Sequence, residues 1–80
     1  MNDPEMSQLR WRCRRGMKEL DMLLLGYVDK HYSDAGQVGQ RTFRQLLSMP
    51  DPDILALLTG KATTDDEHLA NVIKRLLTRD

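Results

Sequence analysis

Apolar residues recur at helical spacing along the whole chain, and glycine or proline interrupts that spacing at short intervals. Each uninterrupted segment is typical of an amphipathic helix that places one apolar face against a core. The chain has only one Trp, two Tyr and one Phe, so the core must consist mainly of aliphatic side chains and Met, which favours helices over strands. We therefore predict an all-α fold, a small five-helix bundle that forms a single domain over residues 1–80.

Length and charge exclude several classes of protein. Eighty residues suffice for one small domain. The 12 basic and 12 acidic residues balance, which argues against nucleic acid as the main partner, and the single Cys excludes an internal disulfide. Apolar runs such as residues 22–25 are too short to span a bilayer, and no signal peptide pattern is present. We expect a soluble, intracellular protein without membrane insertion.

The first two helices are separated by Gly16. We predict helix one over residues 4–15, with Asp3 as its cap. Four residues of this region follow helical spacing and are expected to face the core: Met6, Leu9, Cys13 and Met17. Gly16 is expected either to close this helix in the left-handed conformation or to open the next one.

Helix two is predicted over residues 17–32. Its apolar stripe consists of Leu20, Leu24, Tyr27, Val28 and His31. Met22 and Leu23 widen the stripe, so we expect this helix to be central and to be packed on two sides. Gly26 lies inside the helix, where glycine costs about 1 kcal/mol relative to Ala, which suggests close packing at that position.

Three further helices follow. Helix three, over residues 37–48, is expected to bury Val38, Phe43, Leu46 and Leu47, and to start late because of Gly36 and Gly39. In helix four Asp51 is predicted as the cap, Pro52 as the first helical residue and Gly60 as the stop. Helix five is predicted to begin with a capping box in which Thr64 is the cap and Glu67 its partner. Its core face is expected to contain Leu69, Val72, Ile73, Leu76 and Leu77.

No residue pattern predicts catalysis or a metal site. Cys13 could pair with His31 or His68 as a thiolate, but it belongs to an apolar stripe and is better explained as core packing. The two histidines have no metal-ligand spacing, and no glycine pattern forms a phosphate loop. We therefore expect neither an enzyme nor a metalloprotein.

A basic cluster surrounds Gly16. Five of the 12 basic residues lie within nine positions, namely Arg10, Arg12, Arg14, Arg15 and Lys18. The same stretch holds Trp11 and is followed by Glu19, a first-turn carboxylate that favours the helix dipole. A solvated helix face explains such a cluster, but Gly16 also removes side-chain bulk at the corner and would let a partner backbone approach closely. We interpret the stretch as a binding surface.

The segment Arg14-Arg15-Gly16-Met17-Lys18-Glu19-Leu20-Asp21 resembles the signature of the small FAD assembly factors of succinate dehydrogenase. The shared element of that family is Arg-Gly-x-x-Glu, here Arg15-Gly16-Met17-Lys18-Glu19. The resemblance covers about residues 8 to 79, since other family landmarks have counterparts. These are Trp11 before the arginine pair, Tyr32, Phe43 with Leu46-Leu47, and Asp51-Pro52-Asp53-Ile54-Leu55. Gly36 and Gly39 depart from the family pattern.

The resemblance implies a cytoplasmic bacterial protein that binds the flavoprotein subunit of succinate dehydrogenase, and in some bacteria that of fumarate reductase. It would promote covalent attachment of FAD to a histidine of this client, while the bond chemistry belongs to the flavin and the client. The client-binding residues carried over from the family are Arg15, Gly16 and Glu19, with Arg14, Trp11 and Asp21 beside them. No tightly bound cofactor is expected, because FAD is handled through the client. The free protein is expected to be a monomer or a weak homodimer.

Two other functions are compatible with the residues. The first is a nucleic-acid-binding or antitoxin-like regulatory protein that uses the basic helix 10–18. The second is a carrier of free FAD, for which only Trp11, Tyr27 and the arginines offer stacking or phosphate contacts.

Overall fold

The computed structural model describes residues 4–78, and this part of the chain consists of helices joined by short links. The helices are α1 (Pro4–Arg12), α2 (Lys18–Tyr27), α3 (Gly36–Leu47), α4 (Asp51–Thr59) and α5 (Glu67–Leu77). A single π-helical turn, Val28–Tyr32, continues directly from α2. Between residues 4 and 78 no strand is present, so the predicted all-α fold with five helices is confirmed.

The first helix is shorter than predicted. α1 ends at Arg12 rather than at residue 15, and the chain then turns, with the Arg14 backbone N–H donating to the Trp11 carbonyl. Leu9 and Cys13 are buried as expected. The prediction that Met17 faces the core is wrong, because Met17 is the extended residue that precedes α2 and is 40% exposed. The predicted cap Asp3 lies outside the described residues.

α2 and the π turn together cover the predicted second helix. The stripe of Leu20, Leu24, Tyr27 and Val28 is buried as predicted. Met22 does not widen it, since this side chain is 64% exposed and projects away from the core. The segment packs against α5 on one side and, through Tyr27 and Tyr32, against Phe43 of α3 on another, so the prediction of packing on two sides is confirmed.

Gly26 does not mark close packing. A Cβ atom placed on Gly26 would meet no atom within 4 Å, so the expectation of a tight helix contact there is wrong. The glycine with close neighbours is instead Gly39 of α3, where a Cβ would lie 2.8 Å from the Ala35 Cβ. α3 also begins at Gly36, one residue earlier than predicted, and leaves Val38 47% exposed instead of buried.

The caps of the last two helices differ from the predictions. Asp51 opens α4 but does not cap it, because its carboxylate is bound by Arg15. α5 is capped by Asp66, whose Oδ1 accepts from the backbone N–H groups of His68 and Leu69 at 2.9 and 3.3 Å. Thr64, the predicted cap, accepts the Asp66 backbone N–H instead and so only supports the turn before the helix. Gly60 ends α4 in the left-handed conformation as predicted.

One continuous core joins all five helices. Its centre is aromatic, with Tyr27 stacked on Phe43 at a ring-centroid separation of 4.4 Å and Tyr32 edge-on to Phe43 at 5.9 Å. Aliphatic side chains from every helix surround these rings: Leu9, Leu20, Leu24, Val28, Leu46, Leu47, Ile54, Val72 and Leu76. Leu77, predicted on the core face of α5, is 49% exposed.

Candidate functional site

The six predicted site residues lie on one short stretch, from the last turn of α1 to the first turn of α2. We call residues 14–19 the corner. Trp11, 71% exposed, lies just before it on α1, and Asp21 just after it on α2. Arg14, Gly16 and Glu19 are exposed, whereas Arg15 and Asp21 are partly buried. The stretch therefore combines an outward-facing surface with inward-facing anchors.

Arg15 is the principal anchor of the corner. Its side chain is 17% exposed, and its Nε donates to Asp51 Oδ1 at 2.7 Å in an ion pair. The terminal nitrogens donate to the carbonyls of Leu47 at 2.8 Å, Met49 at 2.7 Å and, more weakly, Arg12 at 3.3 Å. A guanidinium has five N–H donors, and three of these four bonds join the corner to the end of α3, the following link and the start of α4.

Asp21 holds the corner from its other side. Its Oδ1 accepts the backbone N–H of Arg15 at 2.7 Å, and its own N–H donates to the Met17 carbonyl at 2.8 Å in the first turn of α2. A carboxylate at this end of a helix also interacts favourably with the helix dipole. Asp21 therefore ties the backbone of the corner to α2.

Gly16 forms the open apex between these anchors. Its φ is +85°, in the left-handed region that favours glycine, and a Cβ built on it would meet nothing within 4 Å. Of the two alternatives predicted for Gly16, the left-handed conformation is the one observed, although α1 has already ended at Arg12. Because no neighbour fills the space above it, the Gly16 backbone is accessible to a partner. Glu19 is exposed one helical turn away.

Most of the basic cluster serves the fold. Arg10 forms an ion pair with Asp29. Arg12 donates to Ser48 Oγ at 3.0 Å and to a backbone carbonyl of α3 at 3.3 Å. With Arg15 bound to Asp51, three of the five cations are used to join helices. Within residues 4–78, the side chains of Arg14 and Lys18 form neither hydrogen bonds nor ion pairs with other side chains. A continuous phosphate-binding stripe is therefore not formed on this helix.

Cys13 is unsuited to nucleophilic chemistry. The side chain is fully buried, and burial raises the pKa of its thiol to about 11 despite the opposing influence of Arg10, Arg12 and Arg15. At neutral pH the thiol is thus protonated and shielded from solvent. Its interpretation as core packing is confirmed by this burial.

The histidines lie away from the corner. His31 and His68 line a polar cleft between the π turn, the start of α3 and α5. Among residues 4–78, no three His, Cys, Asp or Glu side chains are grouped so that they could hold a metal ion. No helix in the same range is long and apolar enough to cross a membrane.

Sequence reasoning missed the acceptors of Arg15. Asp51 lies 36 positions downstream, and its neighbour Pro52 gave it a local explanation as a helix cap. The carbonyl acceptors Leu47 and Met49 belong to the backbone and leave no trace in the residue pattern. Only the proximity of the first turn of α4 to the corner reveals this cluster.

Comparison with known proteins identifies the family. The family model described as "Flavinator of succinate dehydrogenase" matches residues 7–80. The chain belongs to this family. Its resemblance to the FAD assembly factors, seen first in the corner residues, is thereby confirmed.

Individual relatives of the family are similar over most of their length. A protein named FAD assembly factor SdhE from Idiomarina loihiensis is 42% identical over 72 residues, which cover 90% of this chain and 80% of the relative. The protein of the same name from Coxiella burnetii is 35% identical over 77 residues, which cover 95% and 94% of the two chains. That from Methylococcus capsulatus is 39% identical over 72 residues, covering 90% and 87%. No solved structure matches the chain.

Proposed function

We propose that this protein is an FAD assembly factor that binds the flavoprotein subunit of succinate dehydrogenase and promotes covalent attachment of FAD to a histidine of that subunit. The proposal is supported by membership of the flavinator family and by relatives named as FAD assembly factors. The flavoprotein of fumarate reductase is a second proposed client. The protein would work in the bacterial cytoplasm, as a monomer or weak homodimer.

The observation that carries the proposed site is the exposed, left-handed Gly16 on an anchored corner. We propose that the client lies close over Gly16, where a long side chain would block it. Glu19, exposed one turn away, would accept hydrogen bonds from the client, and Arg14 and Trp11 would extend the contact along α1. Arg15 and Asp21 would contribute by fixing the shape of the corner, since their polar groups are engaged within the molecule.

The protein would assist flavinylation by conformational selection. A factor that binds one client conformation more tightly than others raises the population of that conformation without taking part in bond formation. This mechanism suits a surface whose nearest thiol, Cys13, is buried and protonated. The covalent chemistry would reside in FAD and the client, and no tightly bound cofactor is required.

Gly16→Arg tests the proposed site. A Cβ at this exposed position meets open space, so we expect the fold to be retained, with a loss of about 1 kcal/mol from the unfavourable left-handed backbone. Client binding and covalent flavin on the client should both be abolished. The measurements are binding of the purified flavoprotein subunit and in-gel flavin fluorescence in a strain that lacks the native protein.

Gly16→Asn is the matched control. Asn tolerates the left-handed conformation and adds a much smaller side chain, so it should retain most of the binding. Full flavinylation by Gly16→Arg would contradict the proposed site. Equal losses for both variants would contradict a block that depends on the size of the added side chain.

A further inference from the structure

A groove between α2 and the C-terminal half of α5 begins at the corner. Glu19 lines its first end, and Arg75 lies on its α5 side. The surface between them is mainly apolar and includes Met22, Leu23 and Leu76. Glu19 therefore belongs both to the corner and to this groove, and the two surfaces are continuous.

Gly26 lies in the groove and has no function in the internal packing of the protein. It is seven residues, or about 10 Å, along the helix from Glu19 on the same face. Glycine is unfavourable inside a helix. Gly39 of α3 is justified by its close approach to Ala35, but the space beside Gly26 is empty. The missing side chain keeps the groove open.

The apolar lining includes a side chain that the core does not use. Met22 is 64% exposed, although its neighbours Leu20 and Leu24 are buried. Glu19 lies at the corner end of the groove, and two cations, Lys30 of the π turn and Arg75 of α5, line it further along. Within residues 4–78 neither Glu19 nor Arg75 forms an ion pair. A complementary ligand has a basic end, an apolar middle and an acidic end.

We infer that this groove receives a segment of the flavoprotein client, with a bulky apolar side chain over Gly26 and a carboxylate on Arg75. The inference deepens the proposed function and depends on it, because a client bound at the corner reaches the groove through Glu19 without crossing another surface. Flexible Met side chains adapt well to such an apolar contact. The groove would add affinity and set the orientation of the client about Gly16.

The test measures the affinity of variants of the full chain for the purified flavoprotein subunit of succinate dehydrogenase without covalent FAD. Gly26→Leu fills the groove and should weaken binding about 30-fold, as for a central contact. Met22→Lys leaves the core untouched and should weaken binding about 10-fold, as should Arg75→Glu. The thermal unfolding midpoint of each variant is measured alongside.

Two control variants make the same kinds of substitution at residues outside the groove. Val38→Lys replaces an exposed apolar residue of α3, and Lys74→Glu reverses the charge beside Arg75; neither residue lines the groove. Both should bind within about threefold of the wild type. If Met22→Lys and folded Gly26→Leu also bind within that range, the groove is not a client site and the inference is overturned.

Gly16→Arg, measured in the same series, separates the two proposals. If Gly16→Arg loses binding while the groove variants bind normally, the inference about the groove is overturned and the proposed function stands. Normal binding by Gly16→Arg, or no binding by the wild type, overturns the proposed function. Sedimentation measures self-association: a wild-type dimer that Gly26→Leu converts to monomer would assign the groove to a second copy and overturn the inference.

Discussion

Arg15 satisfies four acceptors with one partly buried side chain, and this makes it more important for the fold than its exposed neighbour Arg14. A basic residue beside a binding surface is easily interpreted as a ligand-binding group. Here the guanidinium is directed at Asp51 and at backbone carbonyls of the link between α3 and α4. Its contribution to function is expected to be the geometry that it imposes on Gly16.

Arg15→Ala should lower the free energy of unfolding by roughly 2 to 4 kcal/mol, because it leaves carbonyls and the Asp51 carboxylate without their donor. Arg15→Lys should recover only part of the loss, since an ammonium cannot reproduce the planar set of donors. Urea denaturation measures the free energy of unfolding of both variants.

Arg14→Ala is the control for these variants and should change stability by less than about 0.5 kcal/mol. Equal effects of Arg14→Ala and Arg15→Ala would contradict the anchoring role. The double variant Arg15→Ala with Asp51→Ala should be less destabilised than the sum of the single changes, because the two residues form one ion pair.

The buried thiol of Cys13 predicts a loss of stability in alkali. Burial raises its pKa from 9.0 to about 11. Between these values the unfolded thiol loses its proton while the folded thiol retains it, so the free energy of unfolding falls as pH rises. The loss attributable to Cys13 should approach roughly 2 kcal/mol by pH 11 and be absent below pH 8.

Cys13→Ala should flatten this pH dependence even though it lowers stability by opening a cavity. Urea denaturation at pH 8 and pH 11 provides the comparison. Tyr27 will leave a residual dependence at high pH, because burial raises the pKa of its phenol above the ordinary 10.0. An unchanged slope in Cys13→Ala would show that the thiol is not responsible.

At the scale of the helices, two interior glycines have opposite relations to their surroundings. Gly39 of α3 lies where a Cβ would approach the Ala35 Cβ to 2.8 Å, whereas Gly26 of α2 faces open space. The same replacement by Ala should therefore have effects of opposite sign. The comparison measures how far a close contact at the start of α3 overrides intrinsic helix propensity.

Gly39→Ala should destabilise the protein by about 1 kcal/mol, because the short Ala35 side chain cannot move away without a shift of the backbone. Gly26→Ala should stabilise it by about 0.5 to 1 kcal/mol through helix propensity. Thermal unfolding of the two variants checks both signs. A gain in stability for Gly39→Ala would mean that the start of α3 relaxes readily.

For the molecule as a whole, the sequence was sufficient to predict the number and order of the helices, because apolar periodicity and the breaks at Gly16 and Gly60 are local signals. The caps were harder to predict. Asp51 and Thr64 have the residue types of caps, yet Arg15 binds the first and Asp66 replaces the second. A distant partner decides the role of Asp51, whereas Thr64 and Asp66 lie two positions apart and the local backbone geometry decides between them.

The candidate site was predictable as a stretch of chain but not as a surface. The motif located Gly16 and Glu19, while the inward direction of Arg15 depends on the position of α4. The groove beside Gly26 was likewise hidden, because a glycine at a tight contact and a glycine beside open space look the same in a sequence. Only the packed helices separate the two cases.

Because Asp51 anchors the corner, the corner surface forms late in the folding of the chain. The ion pair joins residues 36 positions apart, so the corner acquires its shape only after α4 has been synthesised and has docked. A synthetic peptide of residues 10–21 would contain every letter of the motif and still be a poor competitor for the client. The proposed recognition element is therefore short in sequence but belongs to the finished fold, and we expect an incomplete or clipped chain not to bind the proposed client.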